Sequence, residues 1–276
     1  MKKLGMLFIF LLLITGCSFY SNQKSNSASN STSNEEEKEI INSSILYYKK
    51  ENLNRYIEYK NNHPELSDED VITQVNIGLD HEYYTETIET PYLNSIKILS
   101  NKYYYMPSDY VPENLEKISA ACCSGTRYMV KEAKEAFEKL CTDAKSQGYT
   151  VRAMSTYRSY NYQVTLYQNY VLKDGKEAAD TYSARPGFSE HQTGLVADVD
   201  DANYSFTSFH KSKSFKWMRD NAYKYGFIMR YPEDKVDITG YSYESWHYRY
   251  VGVEAATKMR EENLTFDEYY FRYLDK

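Results

Sequence analysis

Ser189-Glu190-His191-Gln192-Thr193-Gly194-Leu195-Val196-Ala197-Asp198 sets a histidine and an aspartate seven residues apart across a glycine. That gap suits a turn running into a strand whose far end returns toward the turn, and it does not suit one helix face. Farther along, Glu244-Ser245-Trp246-His247 supplies a second histidine with a glutamate three residues before it. The chain has only five histidines, and two of them fall in segments that also carry carboxylates. Two imidazoles and one carboxylate make three protein ligands, the number a catalytic zinc uses when its fourth position stays open for water or substrate. Glu244 is then free to serve as general base and, afterwards, as general acid. Spacing leaves the carboxylate ligand open, because Asp200 and Asp201 lie beside Asp198. A hydrogen-bonded structural histidine is the plain alternative for either imidazole taken alone.

Working outward, the apolar pattern predicts interleaved helices and strands. Met129, Val130, Ala133, Ala136, Phe137, Leu140, Cys141 and Ala144 recur at helical spacing, which predicts an amphipathic helix from about Arg127 to Gln147 that packs on a sheet. Alternation from Tyr149 to Met154 predicts a strand, and a helix is expected from about Asn161. Strands are expected at Leu195 to Val199, Phe227 to Tyr231 and Trp246 to Val251, with a helix around Phe215 to Tyr225 closed by Gly226. Short helices are expected between Ile45 and Ile98, one of them opened by the capping-box-like Ser67-Asp68-Glu69-Asp70. The proline-braced stretch Met106 to Pro112 reads as extended chain wrapping the core. The class expected is α+β.

The amino terminus predicts export. Lys2 and Lys3 precede an apolar run from Leu4 to Ile14, shorter than the roughly 20 residues of a membrane-spanning helix and suited to a signal-peptide core. Leu13-Ile14-Thr15-Gly16-Cys17 follows, and small residues before a cysteine at this place resemble a bacterial lipoprotein signal. Residues 1–16 are therefore expected to be removed and Cys17 lipidated, which anchors the protein on the outer face of the cell membrane. Residues 17–39 read as a disordered tether: Ser18 to Asn34 holds seven serines and four asparagines, followed by Glu35-Glu36-Glu37. A soft linker of about 20 residues reaches roughly 25 Å.

Removing Lys2 and Lys3 leaves 31 Lys+Arg against 39 Asp+Glu, a net charge of -8. That balance argues against a nucleic-acid partner, which calls for a basic face. The 31 tyrosines suit packing by an amphipathic ring more than a dedicated groove. With Cys17 lipidated, Cys122, Cys123 and Cys141 permit at most one internal disulfide, and Cys141 is expected as a buried free thiol on the helix face.

Ser189-x-His191-x-x-Gly194 with Asp198, then Glu244-x-Trp246-His247-Tyr248-Arg249-Tyr250, resembles the zinc D-Ala-D-Ala carboxypeptidases of the VanY type. Asn101-Lys102, Met106-Pro107-x-Asp109-Tyr110-x-Pro112, Tyr157-Arg158-Ser159 with Gln163, and Ala184-Arg185-Pro186-Gly187 extend the resemblance over roughly Asn101 to Gly252. It implies a small antiparallel sheet flanked by helices, the hedgehog/D-Ala-D-Ala-peptidase-like zinc fold. Residues 99-276 would form the catalytic domain, and residues 40-98 resemble the helical accessory region that often precedes it.

Carried over residue by residue, the resemblance implies one Zn2+ per chain held by His191, Asp198 and His247, with Glu244 as catalytic base. Arg158 would act in catalysis and in recognition of the terminal carboxylate or developing oxyanion, and Gln163 and Ser189 would hydrogen-bond the peptide end. The implied reaction is hydrolysis of the last peptide bond of peptidoglycan stem peptides, with release of D-alanine. An L,D-carboxypeptidase acting on the tetrapeptide stem, and a non-catalytic cell-wall-binding zinc lipoprotein, are the rival readings. One departure stands out: Val196 occupies a place, two before the aspartate, where the family usually has a small residue.

Overall fold

Four short strands carry the site: β5 (Arg152–Ser155), β6 (Val196–Asp200), β7 (Phe227–Met229) and β8 (His247–Tyr250). They form one sheet in the order β5-β6-β8-β7, and every neighbouring pair is antiparallel. Side chains alternate across a sheet, so β6 sends Ala197 and Val199 to one face and Asp198 to the other. On β8 the same alternation separates Tyr248 and Tyr250 from His247 and Arg249. Ala197, Val199, Tyr248 and Tyr250 join Phe137, Leu140 and Ala144 in the main hydrophobic cluster. The opposite face is left to the polar groups.

Helix α3 (Lys131–Ser146) covers the apolar face and buries Ala133, Phe137, Leu140, Cys141 and Ala144. It begins four residues later than the apolar spacing predicts. Tyr128–Val130 is β4, which pairs antiparallel with β3 (Leu115–Lys117), so a tertiary ladder claims Met129 and Val130 before the helix starts. Phe137 meets Phe227 edge to face at 5.9 Å between ring centroids. Truncating a core phenylalanine of this kind costs about 3–5 kcal/mol.

Cys141 is not the free thiol expected from its place on α3. It is bonded to Cys122, with their Cα atoms 5.9 Å apart, and the buried free cysteine is Cys123. The reason is tertiary: an isolated bridge between Cys123 and Ala153 lays this segment along β5, beside the helix. Closing a loop of 19 residues contributes about 3 kcal/mol in the chain-entropy account.

The computed structural model describes residues 41–275. The expected signal segment 1–16, the Cys17 lipidation site and the tether 17–39 lie outside the described residues. Ile40–Lys276 form one compact unit. In its first part, α1 (Leu53–Asn62) and α2 (Asp68–Ile77) bury Tyr56, Val71, Ile72 and Val75 in a separate small cluster. Ser67 caps α2, its hydroxyl accepting from the Asp70 amide. The parallel pair β1 (Ile88–Glu89) and β2 (Tyr104–Tyr105) leads on to the sheet region.

Helices α4 (Tyr160–Asp174) and α5 (Lys176–Tyr182) stand beside the polar face, and α6 (Lys213–Asn221) runs toward Gly226 through a tighter final turn. After the single-turn α7 (Val236–Thr239), the chain ends in α8 (Val253–Glu262), α9 (Phe266–Tyr269) and a π turn. Met259, Phe266, Tyr270 and Phe271 pack there with Ile77 and Leu99 from the first part of the unit. Among the described residues no helix is long and apolar enough to cross a membrane.

Candidate active site

The register of β6 against β8 sets Asp198 directly opposite His247. A slip of one residue would turn one of them to the apolar face. His191 arrives from the 3-10 turn Glu190–Thr193, which Gly194 closes at φ +68°. That positive φ strains any residue with a side chain, and a Cβ there would also push on the tip of Leu115, 2.9 Å away at Cδ2. Val196 is fully buried opposite Arg249, and the pairing continues unbroken through Asp198.

The three side chains converge. Asp198 Oδ2 lies 3.2 Å from His191 Nε2, and Asp198 Oδ1 lies 3.1 Å from His247 Nδ1. One ligand atom from each lies within 4.8 Å of the others, and all three residues are buried. The outward ring nitrogens are occupied. His191 Nδ1 donates to the Thr156 carbonyl at 2.6 Å, and His247 Nε2 donates to Glu190 Oε2 at 3.3 Å. These partners assign the tautomers and leave His191 Nε2 and His247 Nδ1 facing the centre. Imidazoles whose second nitrogen is tied to an acceptor, with a carboxylate between them, are the donor set zinc takes. The residues present fit that ion.

The alternative carboxylates are engaged elsewhere. Asp200 pairs with Arg152 at 3.0 and 3.1 Å, and Asp201 accepts the amides of Asn203 and Tyr204. Neither belongs to the cluster.

Glu244 Oε2 stands 3.6 Å from His247 Nδ1, inside the site and outside the ligand triad. Burial, helped by the Asp198 and Glu190 charges and opposed by His247 and Arg158, pushes its carboxyl up to about 8. Burial and the Arg158 guanidinium lower His191 to about 4, which keeps it neutral and able to ligate. Despite burial, hydrogen bonds to Asp198 and Glu190 push His247 up to about 9. The same imidazoles hold Asp198 well below the usual carboxylate range against its own burial. Of the three ligands, only His247 therefore has an extra proton to give up when a metal ion takes its Nδ1.

A cavity of about 530 Å³ opens over this centre, and Arg158, Gln163 and Ser189 all line it. Arg158 Nε is buried without a partner, while its backbone amide donates to the His191 carbonyl at 3.1 Å. Gln163 donates from Nε2 to the Ala184 carbonyl at 2.8 Å, and its Oε1 is buried without a partner. Tyr162, Tyr170, Tyr182, Phe206 and Trp246 give the cavity an aromatic lining, in which Tyr170 meets Tyr182 and Phe206 meets Trp246 edge to face.

Sequence reasoning missed what lies behind His247. Glu190 accepts from Arg230 Nε at 2.8 Å and from Arg249 Nη1 at 2.9 Å, in addition to His247. Glu190 immediately precedes a ligand, and Arg249 follows His247 by two on the same strand face, so both were legible as neighbours of the site. Nothing in the sequence marked Arg230 or its partner Asp267.

Residues 126–253 match the profile of the family described as VanY: D-alanyl-D-alanine carboxypeptidase. The putative carboxypeptidase YodJ of Bacillus subtilis (strain 168) is 42% identical over 198 residues, which cover 67% of this chain and 70% of YodJ. The structure of the LdcB LD-carboxypeptidase is similar at a TM-score of 0.61 and 41% identity, covering 65% of this chain and 87% of that one. A variant of the vancomycin-resistance D,D-pentapeptidase VanY from a VanB-type cassette, in complex with Zn(II), is similar at a TM-score of 0.55 and 34% identity. That match covers 63% of this chain and 97% of the other.

Proposed function

Because the chain belongs to the VanY family of D-alanyl-D-alanine carboxypeptidases, and is thus a carboxypeptidase of peptidoglycan-related peptides, we propose that it is zinc-dependent and releases the terminal D-alanine of stem peptides outside the cell. The observation that carries the reading is the triad His191, Asp198 and His247 with Glu244 unligated beside it. A binding module with a structural metal has no use for a free carboxylate at that place.

His191 Nε2, Asp198 and His247 Nδ1 would hold the metal. When bound, zinc supplies a Lewis acid for the scissile carbonyl and lowers the pKa of its water toward about 7. Glu244 takes the proton from the attacking water at Oε2 and returns it to the leaving amine. Arg158 pairs its guanidinium with the terminal carboxylate or the developing oxyanion, in a buried setting where a charge-assisted hydrogen bond is strong. Gln163 Oε1 accepts an N–H of the peptide end, and the Ser189 hydroxyl bonds beside it.

A disulfide at Cys122–Cys141 suits an oxidising compartment, in agreement with the amino-terminal lipoprotein-like signal. A second reading, removal of the terminal residue from a tetrapeptide, is favoured by the higher identity to LdcB than to the D,D-pentapeptidase, 41% against 34%. The test is release of D-alanine by the purified protein from pentapeptide and tetrapeptide stems, with and without a chelator, and with zinc restored. Release from the pentapeptide that a chelator stops and zinc restores is expected. Release from the tetrapeptide alone would reassign the enzyme to the L,D class, and release from neither by zinc-loaded protein would sink the proposal.

A further inference from the structure

Four ionised side chains with at most 1% exposure lie behind His247: Glu190, Arg230, Arg249 and Asp267. Their formal charges balance, and every side-chain nitrogen and oxygen among them has a hydrogen-bond partner. Arg230 donates through its fork to both Asp267 oxygens, at 2.6 and 3.2 Å, and through Nε to Glu190. Asp267 also accepts from Asn101 Nδ2 at 2.8 Å. Arg249 spends its remaining donors on the carbonyls of Tyr250, Ile96 and Ile98. Asp267 is itself held in the first turn of α9, inside the capping box of Thr265 and Glu268. Buried ion clusters of this kind are weak stability devices, since well-packed apolar groups of similar volume do as well or better. The one member with a free function is the Glu190 oxygen that meets His247 Nε2.

We propose that Glu190 is a positioning residue for His247, and that the Arg230–Asp267 pair holds Glu190 in place, so that the first turn of α9 sets how well the triad binds its metal. The inference rests on the zinc reading of the triad. Glu190 Oε1 is shared by Arg230 and Arg249, which leaves Oε2 to accept from the imidazole Nε2–H. A glutamine has only one oxygen for these three donors. In Glu190→Gln the two guanidiniums claim it, and the amide NH2 is turned on the His247 Nε2–H, a donor facing a donor. The ring rotates away or takes the tautomer with its proton on Nδ1, facing Asp198 Oδ1, and either way Nδ1 no longer offers its lone pair to the centre.

The test uses the full-length protein and the variants Glu190→Gln and Asp267→Asn. Zinc affinity is measured by competition with a chelator of known affinity. The exchange-protected Nε2–H resonance of His247 is followed by NMR in metal-free protein. Loss of such an outer partner weakens metal binding by about 10- to 100-fold, which is the drop expected for Glu190→Gln, with a several-fold drop for Asp267→Asn. The protected resonance is expected in the wild type and lost in Glu190→Gln. Zinc affinity within twofold of wild type in folded Glu190→Gln, with the resonance retained, would overturn the proposal. Should Glu190→Gln fail to fold, Asp267→Asn decides, and unchanged affinity with an unchanged resonance overturns it equally. If the wild type binds no zinc, the metal reading fails, while the resonance still reports whether Glu190 holds the ring.

Discussion

The front and the back of the triad are built on opposite rules. On the cavity side, Arg158 Nε and Gln163 Oε1 are buried and bonded to nothing in the protein. On the far side, every side-chain nitrogen and oxygen of Glu190, Arg230, Arg249 and Asp267 has a partner although all four are fully enclosed. An unpartnered buried polar atom costs about 1–3 kcal/mol, and at these two places in the cavity lining a bound peptide would supply the missing bond. Groups that must hold a ligand side chain still are satisfied in advance. Changes at the front should therefore disturb turnover, and changes at the back should disturb stability and metal binding.

The largest expected effect is at Glu244, which lies between the two. Glu244→Ala should lower kcat by roughly 10²–10⁴ while metal analysis still finds zinc bound. Loss of zinc in that variant would move Glu244 into the ligand set. At the back, Arg230→Met leaves Asp267 a buried charge with no cation beside it, while Glu190 keeps Arg249 and His247, and denaturant unfolding of the metal-free protein should show a loss of about 3–5 kcal/mol. A variant as stable as the wild type would break the contrast.

At the front, Arg158→Met should lower kcat/KM by roughly 10²–10³ with little change in the thermal midpoint. A fall in stability like that of Arg230→Met would place Arg158 in the framework. Gln163→Ala removes one neutral hydrogen bond to the peptide and should raise KM by roughly tenfold or less.

The smallest effect concerns a buried cation without a carboxylate. Lys102 Nζ donates to the Asp180 carbonyl at 2.7 Å and lies 4.4 and 4.5 Å from the ring centroids of Tyr83 and Tyr241. Burial lowers its pKa to about 8, whereas Arg230, paired with Glu190 and Asp267, is raised against the same burial. The folded value lies below the ordinary 10.5, so the unfolded chain holds the extra proton between those limits, and stability rises with pH through that window. The thermal midpoint of wild type relative to Lys102→Met should accordingly climb from about pH 8 to about pH 10. A constant difference would mean that Lys102 is not desolvated.

Much of the site was legible in order along the chain. The gap from His191 to Asp198 across Gly194 described a turn into a strand, and the structure has that turn and that strand. Asp198 could be told from Asp200 and Asp201 only by resemblance, because three acidic residues in four positions differ in role through their partners. The sequence reading also overran the start of α3, where Met129 and Val130 suit helix and strand alike and the pairing with β3 decided between them. It missed the Cys122–Cys141 bond because apolar spacing says that Cys141 is buried without saying what it touches.

The order of residues by itself determined the donor types, their spacing and the amphipathic elements that carry them, since each depends on neighbours a few positions apart. Tertiary structure alone decided the β6–β8 register that brings Asp198 to His247, the disulfide, and the charged cluster tying Asn101, Glu190, Arg230, Arg249 and Asp267 together. Those contacts join segments far apart in the chain. Their closeness follows from burying the apolar faces of the sheet and helices against one another, and no local pattern carries it.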